Sequence, residues 1–293
     1  MNVKKPKFWN EKKFLSYIFL PISFLYIILL KVKKFFTKEI EFKSKIICIG
    51  NIYLGGTGKT PLSLFMANFL NETQGKTFIA KKFHKAHLDE INLLKKNFKN
   101  VVVANNRREC IQQAEKNGSN IVIMDDGFQD WSIKKHLNLL CFDSLDGFGN
   151  GYVLPAGPLR ETFDQIKNAQ IIIIKGNKNL NLEKKINEIS KNLLIFYMNY
   201  EPTNINEFKK DRYFAFAGIG NAIRFFDILE NYGVSVKRKL AFSDHYNYSQ
   251  KDLNRIKNVA QSEGLKIITT EKDFFRISHR NLDDIRYLKI KVK

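Results

Sequence analysis

Acidic residues are scarce in this chain: 29 Asp and Glu stand against 49 Lys and Arg, for a formal net charge of +20. Nucleic acid, an anionic membrane and phosphorylated substrates all fit such a balance, and charge alone selects none of them. No nucleic-acid module and no aromatic–basic repeat accompanies the excess, so no nucleic-acid partner is expected. Cysteine is nearly absent as well. Cys48, Cys110 and Cys141 are the three, two of them in apolar strand-like runs. That excludes a paired disulfide framework, shows no metal-ligand spacing and fits a reducing cytosolic setting. Internal repeats and long low-complexity linkers are missing too. With 293 residues, 44% of them hydrophobic and 25 of them Phe, the chain has room for about two domains with ample cores.

The chain also lacks an uncharged run of the ~20 residues that a membrane-spanning helix needs. The nearest approach, residues 14–30, is slightly short and is interrupted by Pro21. It lies in a stretch where the first 45 residues carry eleven Lys against three Glu. Lysines flank both ends (Lys12, Lys13 and Lys31, Lys33, Lys34), so no charge asymmetry sets an orientation. No small-residue cleavage site follows, as a signal peptide would require. Residues 1–44 therefore read as a separate membrane-associating unit, a helix in or on the cytoplasmic leaflet with lysines on lipid phosphates. On pattern alone an ordinary buried helix is the alternative.

What is present in strength is a phosphate-loop signature. Gly55-Gly56-Thr57-Gly58-Lys59-Thr60 follows the strand-like run 46–49 and opens a helix-patterned stretch, with apolar residues at 62, 65, 66, 69 and 70. Strand, glycine loop and helix are the context in which backbone N–H groups and a helix N-terminus close around phosphate oxygens. Residues Tyr53, Leu54, Gly55, Gly56, Thr57, Gly58, Lys59 and Thr60 are the expected nucleotide-binding set. Tyr53 stands where the strict pattern has glycine. Lys59 would meet the outer phosphates and the Thr60 hydroxyl would ligate Mg²⁺, which makes this a nucleotide-triphosphate site.

From residue 45 to about 200, short apolar runs at 46–49, 77–80, 101–104, 121–124, 139–142 and 171–174 alternate with helical stretches. This predicts an α/β fold with a parallel sheet covered on both faces, of the phosphate-loop NTPase kind. The polar interval around 177–189 and the Glu201-Pro202 pair place a boundary near 200. Beyond it, strand-like runs at 213–217 and 266–270 predict a smaller α/β domain over 201–293. Gly218-Ile219-Gly220 lacks a third glycine and reads as a tight turn.

Three acidic points could carry chemistry. Asp125 and Asp126 end the apolar run 121–124, where phosphate-loop enzymes hold Mg²⁺ with hard oxygens. Asp89-Glu90 lies near His84 and His87. A solvated helix face is the ordinary reading, but phosphoryl transfer to an alcohol needs a carboxylate to orient the hydroxyl and accept its proton. Asp244-His245 offers an imidazole supported by a carboxylate. Spacing alone does not connect 89 with 245. The passage from Phe148 to Glu161 holds three glycines and two prolines in fourteen residues, a stiff turning loop. It follows the run 139–142 and so belongs at the strand-end crevice, with Arg160 as a phosphate contact and Glu161 as a metal-shell acid. A structural loop with a surface charge pair is the even alternative.

Taken in order, Gly50-Asn51, residues 55–61, Asp89-Glu90, Asp125-Asp126-Gly127-Phe128-Gln129, residues 148–161, Ala217-Gly218-Ile219-Gly220, Asp244-His245 and Thr270-Glu271-Lys272-Asp273 closely resemble the tetraacyldisaccharide 4′-kinases. These are the membrane-bound lipid A kinases of Gram-negative bacteria, and the matching pieces cover most of the chain. The resemblance implies transfer from ATP, with Mg²⁺, to the 4′-hydroxyl of a tetraacylated glucosamine disaccharide 1-phosphate, at the cytoplasmic face of the inner membrane. It implies two α/β/α domains with the active site in the cleft between them. It further implies Asp89 as base assisted by His245, Asp125 and Asp126 as the Walker-B acids, and Glu90 and Gln129 near the metal. The chain departs from the family at Lys82-Phe83-His84, where the family has Arg-Gly-Tyr, at the short loop leading to Asp89, and at Asp130, where a His is common. The rival reading is a membrane-associated phosphate-loop ATPase of the partitioning or positioning type without a small-molecule acceptor. Such proteins carry a Lys before the Gly-Gly pair, whereas this chain has Leu54.

Overall fold

The computed structural model describes residues 6–277 and 284–293, so the first five residues of the expected N-terminal unit and residues 278–283 of the expected C-terminal domain lie outside the described residues. Helices α1 (Phe14–Ile18) and α2 (Leu20–Phe36) precede β1 (Lys45–Gly50), α3 (Lys59–Thr73) and β2 (Thr77–Lys82). Next come α4 (Leu88–Asn97), β3 (Val101–Ala104), α5 (Arg107–Lys116), β4 (Ile121–Asp125), β5 (Leu137–Asp143), β6 (Ile171–Lys175), α6 (Leu180–Ile189) and β7 (Leu194–Met198). The remainder runs β8 (Tyr200–Pro202), β9 (Arg212–Ala217), α7 (Ala222–Asn231), β10 (Ser235–Ala241), α8 (Gln250–Ser262), β11 (Lys266–Thr270), α9 (Glu271–Ile277), β12 (Ile285–Leu288) and β13 (Ile290–Val292).

Two compact units result. The larger joins Lys5–Phe83 to Phe98–Asn199, and the smaller joins His84–Asn97 to Tyr200–Lys293. A single cut near residue 200 and a separate unit over 1–44 do not describe this division. The chain leaves the larger unit before α4 and returns after it, while α1 and α2 are integral to the larger unit. Periodicity marks α4 as amphipathic, with Ile91 and Leu94 buried, but says nothing about which core its apolar face will join.

The larger unit is built on a seven-stranded sheet in the order β3-β2-β4-β1-β5-β6-β7. Every pairing in it is parallel. The runs predicted as strands are the six inner and edge strands of this sheet. β1, β4 and β6 are almost continuously apolar because helices cover both faces, which removes the alternation of a half-exposed strand. The polar interval at 177–189 holds helix α6. Asn179 caps α6 by accepting from the Leu182 amide, and Leu182 and Ile186, four apart, bury one face. β7 then completes the sheet. The strand order reverses around β1, so the loop after β1 sits at the crevice where open α/β sheets bind ligands.

The smaller unit has a four-stranded parallel sheet, β10-β9-β11-β12, and a two-stranded antiparallel ribbon of β13 and β8. Phe225, Phe226 and Leu229 of α7 pack on one side of β9, and Leu253, Ile256 and Ala260 of α8 on the other.

Candidate active site

In the larger unit, β1 ends at Gly50 and the chain turns through residues 51–58 into α3. Gly58 stands at the helix N-cap with φ +89°, a left-handed conformation that glycine adopts without a Cβ penalty. The turn is held from inside: Asn51 Nδ2 donates to Tyr53 O (2.5 Å) and Thr57 Oγ1 (3.0 Å). Gln129 Nε2 in turn donates to Asn51 O at 2.7 Å. The first amides of α3 have no partner one turn earlier, which makes the loop an anion-binding concavity.

The two carboxylates after β4 have divergent surroundings. Asp125 is fully buried. Its Oδ2 accepts from Thr60 Oγ1 at 3.2 Å and pairs with Lys81 Nζ at 2.6 Å, and its Oδ1 accepts from Ser63 Oγ at 3.1 Å. Asp126, at φ +60°, turns its carboxylate to Lys59 Nζ (3.5 Å) and Arg160 Nη1 (3.1 Å), while Arg107 donates to its carbonyl. Burial alone would raise the Asp126 pKa, but the cations Lys59, Arg160, Lys81 and Arg107 outweigh it and hold the group well below the usual carboxylate range.

Arg160 reaches Asp126 because residues 148–161 pack directly on the phosphate loop. Leu54 N donates to Pro158 O (2.8 Å) and Arg160 N to Ile52 O (2.7 Å), with an antiparallel bridge between Tyr53 and Leu159. Asn150 Nδ2 donates to Ala156 O, and a Cβ at Gly157 would collide with Asn150 Oδ1 and Tyr152 O, so glycine is required there. The passage is therefore a scaffold for the phosphate loop and not a surface decoration.

Glu161, next along, is 2% exposed, and neither of its side-chain oxygens has a hydrogen-bond partner among the described residues. Burial pushes its pKa up to about 7 against the opposing charges of Lys34, Lys135 and Arg160. A carboxyl raised on folding adds stability below its ordinary 4.5, and that contribution is lost as the pH rises through about 7. Glu161→Gln is therefore expected to stabilise the protein at pH 8.5 by up to about 3 kcal/mol and to change little at pH 4.5. Thermal unfolding at both pH values checks this, and an equal effect at both would contradict it.

The smaller unit gathers the other predicted residues. Asp89, in the first turn of α4, is 2% exposed. Its Oδ2 takes Arg276 Nη2 and lies 3.8 Å from Lys272 Nζ and 3.4 Å from His245 Nδ1, while Oδ1 has no partner among the described residues. Burial raises the Asp89 pKa, but His245, Lys272 and Arg276 together bring it well below the carboxylate range. Glu90 Oε1 accepts from Lys272 Nζ at 3.0 Å. Spacing does not connect 89 with 245, but the fold does. His245 is held at φ +54° by its own amide's bond to Gly218 O (3.1 Å). Lys272 Nζ lies 3.1 Å from His245 Nε2. An ammonium only donates, so Nε2 is the acceptor and the ring proton sits on Nδ1, facing Asp89.

Several residues escape motif reading. Lys81 ends its apolar run on β2 and pairs with Asp125. Asp143 and Lys175 are register partners at the ends of β5 and β6, 2.6 Å apart, and Lys175 Nζ donates to Gly56 O in the phosphate loop at 2.7 Å. Their signal was a charged residue terminating an apolar strand, at the sheet edge where the loop lies. Arg276 and Asp273 are the others. Asp273 accepts from the Gly218 amide (3.0 Å), Tyr248 OH (3.0 Å) and Thr270 Oγ1 (2.7 Å) and pairs with Arg276 (2.7 Å), which ties the Thr270–Asp273 passage to the Gly218 turn. Asp130, the departure from the family pattern, caps a local turn by accepting from Ser132 Oγ at 2.6 Å and meets Arg107 at 3.4 Å.

A parallel sheet with this loop at its switch point, a lysine and threonine opening the following helix, and two acids ending the adjacent strand place the chain among phosphate-loop α/β proteins. A model of the tetraacyldisaccharide-1-P 4′-kinase family matches residues 15–293. The tetraacyldisaccharide 4′-kinase of Pelagibacter ubique is 39% identical over 99% of this chain and 93% of its own length. That of Rickettsia bellii is 31% identical over 93% and 89%. The crystal structure of LpxK from Aquifex aeolicus, an "apo" form in complex with ATP, superposes with a TM-score of 0.72 at 24% identity, covering 95% of each chain; this likeness speaks for the fold. The chain belongs to the tetraacyldisaccharide-1-P 4′-kinase family.

Proposed function

We propose that the chain phosphorylates the 4′-hydroxyl of a tetraacyldisaccharide 1-phosphate, using ATP and Mg²⁺. The observation that carries this reading is the convergence of Lys59, Arg160 and the β4 acids around the glycine loop, in a member of this kinase family. The donor set suits Mg²⁺, which takes hard oxygens: the Thr60 hydroxyl already hydrogen-bonds Asp125 Oδ2 at the start of α3. Thr60, Asp125 and Asp126 would hold the ion, and its chemistry is to neutralise phosphate charge. Lys59, exchanging Asp126 for an outer phosphate, and the loop amides would grip the triphosphate. Arg160 would sit over the same anion. Asp89 would orient the sugar hydroxyl through the oxygen that Arg276 leaves unused and receive its proton as transfer proceeds, with His245 and Lys272 fixing its position. In a loose transition state, positioning matters more than base strength, so a depressed pKa is no obstacle. The test is incubation with radiolabelled ATP and lipid A disaccharide 1-phosphate in detergent. A labelled bis-phosphorylated glycolipid is expected; ATP hydrolysis that ignores the acceptor would favour an ATPase instead.

The N-terminal helices supply the acceptor's address. α1 and α2 turn small polar residues inward: Ser23 Oγ donates to Val153 O at 2.8 Å and accepts from the Ala156 amide, and Ser16 Oγ accepts from Asn150 Nδ2. Their large apolar side chains face out, with Phe24 67%, Phe35 85% and Phe36 77% exposed. No helix among the described residues is long and apolar enough to cross a membrane. Such a face fits a leaflet, with Lys31, Lys33 and Lys34 on anionic headgroups at the inner membrane's cytoplasmic side. A cavity of about 320 Å³ lined by Leu20, Phe24, Ile27, Tyr152, Val153 and Phe163 offers an acyl chain an apolar wall. The triple substitution Phe24→Ser, Leu25→Ser, Phe35→Ser is expected to weaken binding to anionic vesicles more than tenfold, since each buried apolar side chain is worth about 1.5–3 kcal/mol. Unchanged flotation would contradict this.

A further inference from the structure

Beside Asp89 the smaller unit carries a cluster of His87, Glu90 and His245, which shares His245 with the functional reading above and adds His87, a residue that reading leaves out. His87 ends a short 3₁₀ turn, Lys85–His87, and Glu90 lies three residues on in the first turn of α4, so both face the same way. His87 Nδ1 is 3.3 Å from Glu90 Oε2. His245 stacks edge-on against His87, with ring centroids 5.0 Å apart. One ligand atom from each of the three side chains lies within 4.8 Å of the others. Tetrahedral coordination at 2.0–2.1 Å sets ligand atoms roughly 3.3 Å apart. The His87–Glu90 pair has that separation already, and a modest rotation of His245 supplies the third corner.

Two independent observations mark the cluster as a cation site. His87 Nδ1 is buried and makes no hydrogen bond among the described residues beyond its 3.3 Å approach to Glu90 Oε2, although buried imidazole nitrogens are ordinarily satisfied. A cation already sits at its edge, too: the Lys272 ammonium bridges Glu90 Oε1 and His245 Nε2 at 3.0 and 3.1 Å. Two imidazoles and one carboxylate form a set of borderline donors that suits Zn²⁺, Co²⁺ or Fe²⁺, whereas Mg²⁺ favours all-oxygen shells. His87, Glu90 and His245 remain partly exposed, so an ion can enter.

We propose that His87, Glu90 and His245 bind a divalent transition metal of the Zn²⁺ class, which displaces the Lys272 ammonium and represses the enzyme by taking His245 from Asp89. The repression, though not the binding, rests on the functional reading above. No covalent step is involved; one cation replaces another at Glu90 and His245.

The test uses the full chain and Co²⁺ as a spectroscopic probe, titrated in the presence of millimolar Mg²⁺. The wild type should develop visible ligand-field bands with one-to-one stoichiometry, and stoichiometric Zn²⁺ should bleach them. His87→Ala should weaken Co²⁺ binding at least tenfold, and Lys272→Met should tighten it. In the kinase assay, Zn²⁺ should inhibit the wild type and leave His87→Ala, whose basal rate is unchanged, resistant. Circular dichroism confirms folding, and His87→Gln replaces His87→Ala if the latter is unfolded. Absence of Co²⁺ bands in the wild type, equal affinity in the His87 variant, or displacement by Mg²⁺ overturns the site. A saturated site with an unaffected kinase rate overturns the repression. Because the bands are read without substrate, failure of the kinase reading leaves the metal result interpretable.

Discussion

Lys59→Ala is expected to lower kcat for acceptor phosphorylation by at least about 10³-fold, since the lysine is the preplaced charge for the migrating phosphoryl group. The fold should survive. Asp126 keeps Arg160 at 3.1 Å and the Arg107 donation to its carbonyl when the 3.5 Å contact to Lys59 is lost. Loss of activity without loss of thermal stability therefore separates a chemical role from a structural one. Lys59→Arg should not rescue, because a planar guanidinium does not reproduce a compact ammonium point charge in a tight loop. Acceptor-dependent ADP release measures the rate, and a variant within tenfold of wild type would sink the assignment of residues 53–60 to the triphosphate.

Asp89→Asn carries the second large effect, a fall in kcat of about 10²- to 10⁴-fold with the KM for ATP nearly unchanged. Asparagine preserves volume, and its neighbours keep other partners: Arg276 retains Asp273 at 2.7 Å, and Lys272 retains Glu90 at 3.0 Å. What disappears is the anionic oxygen for the hydroxyl. The pH profile sharpens the test. The folded pKa of Asp89 is depressed, so its stabilising charge is present above the ordinary 3.8 and is lost only as the pH falls through the lower folded value. Asp89 is thus ionised throughout pH 5–8 and contributes no acid limb there. An acid limb in that window that vanished in Asp89→Asn would contradict the depressed value. His245→Asn should reduce kcat less, because it acts on Asp89 from 3.4 Å.

Much of the larger unit was legible before folding. Short apolar runs such as 121–124, alternating with helical stretches, read as buried parallel strands, and the Gly-Lys-Thr string needs only its flanking strand and helix to be read. Reading failed where sequence polarity and burial part company. α6 lay inside a polar interval, with Leu182 and Ile186 as its buried residues, and no motif marked Lys81 or Lys175. Each lysine is buried against an acid from a neighbouring strand, and such a pairing depends on sheet order and not on spacing along the chain.

Local sequence settled the parallel sheet, the glycine loop with Lys59 and Thr60, the acids that end β4, and the apolar, lysine-flanked character of the N-terminal segment. All of these are local: a few consecutive residues fix backbone conformation, periodicity or charge. Folding alone brings Arg160 to Asp126, makes His245 and Arg276 converge on Asp89, and turns Ser16 and Ser23 inward while the phenylalanines of α1 and α2 turn out. Those contacts join residues tens to well over a hundred positions apart. Nothing in a linear pattern encodes them until loop closure and core packing have chosen which faces meet.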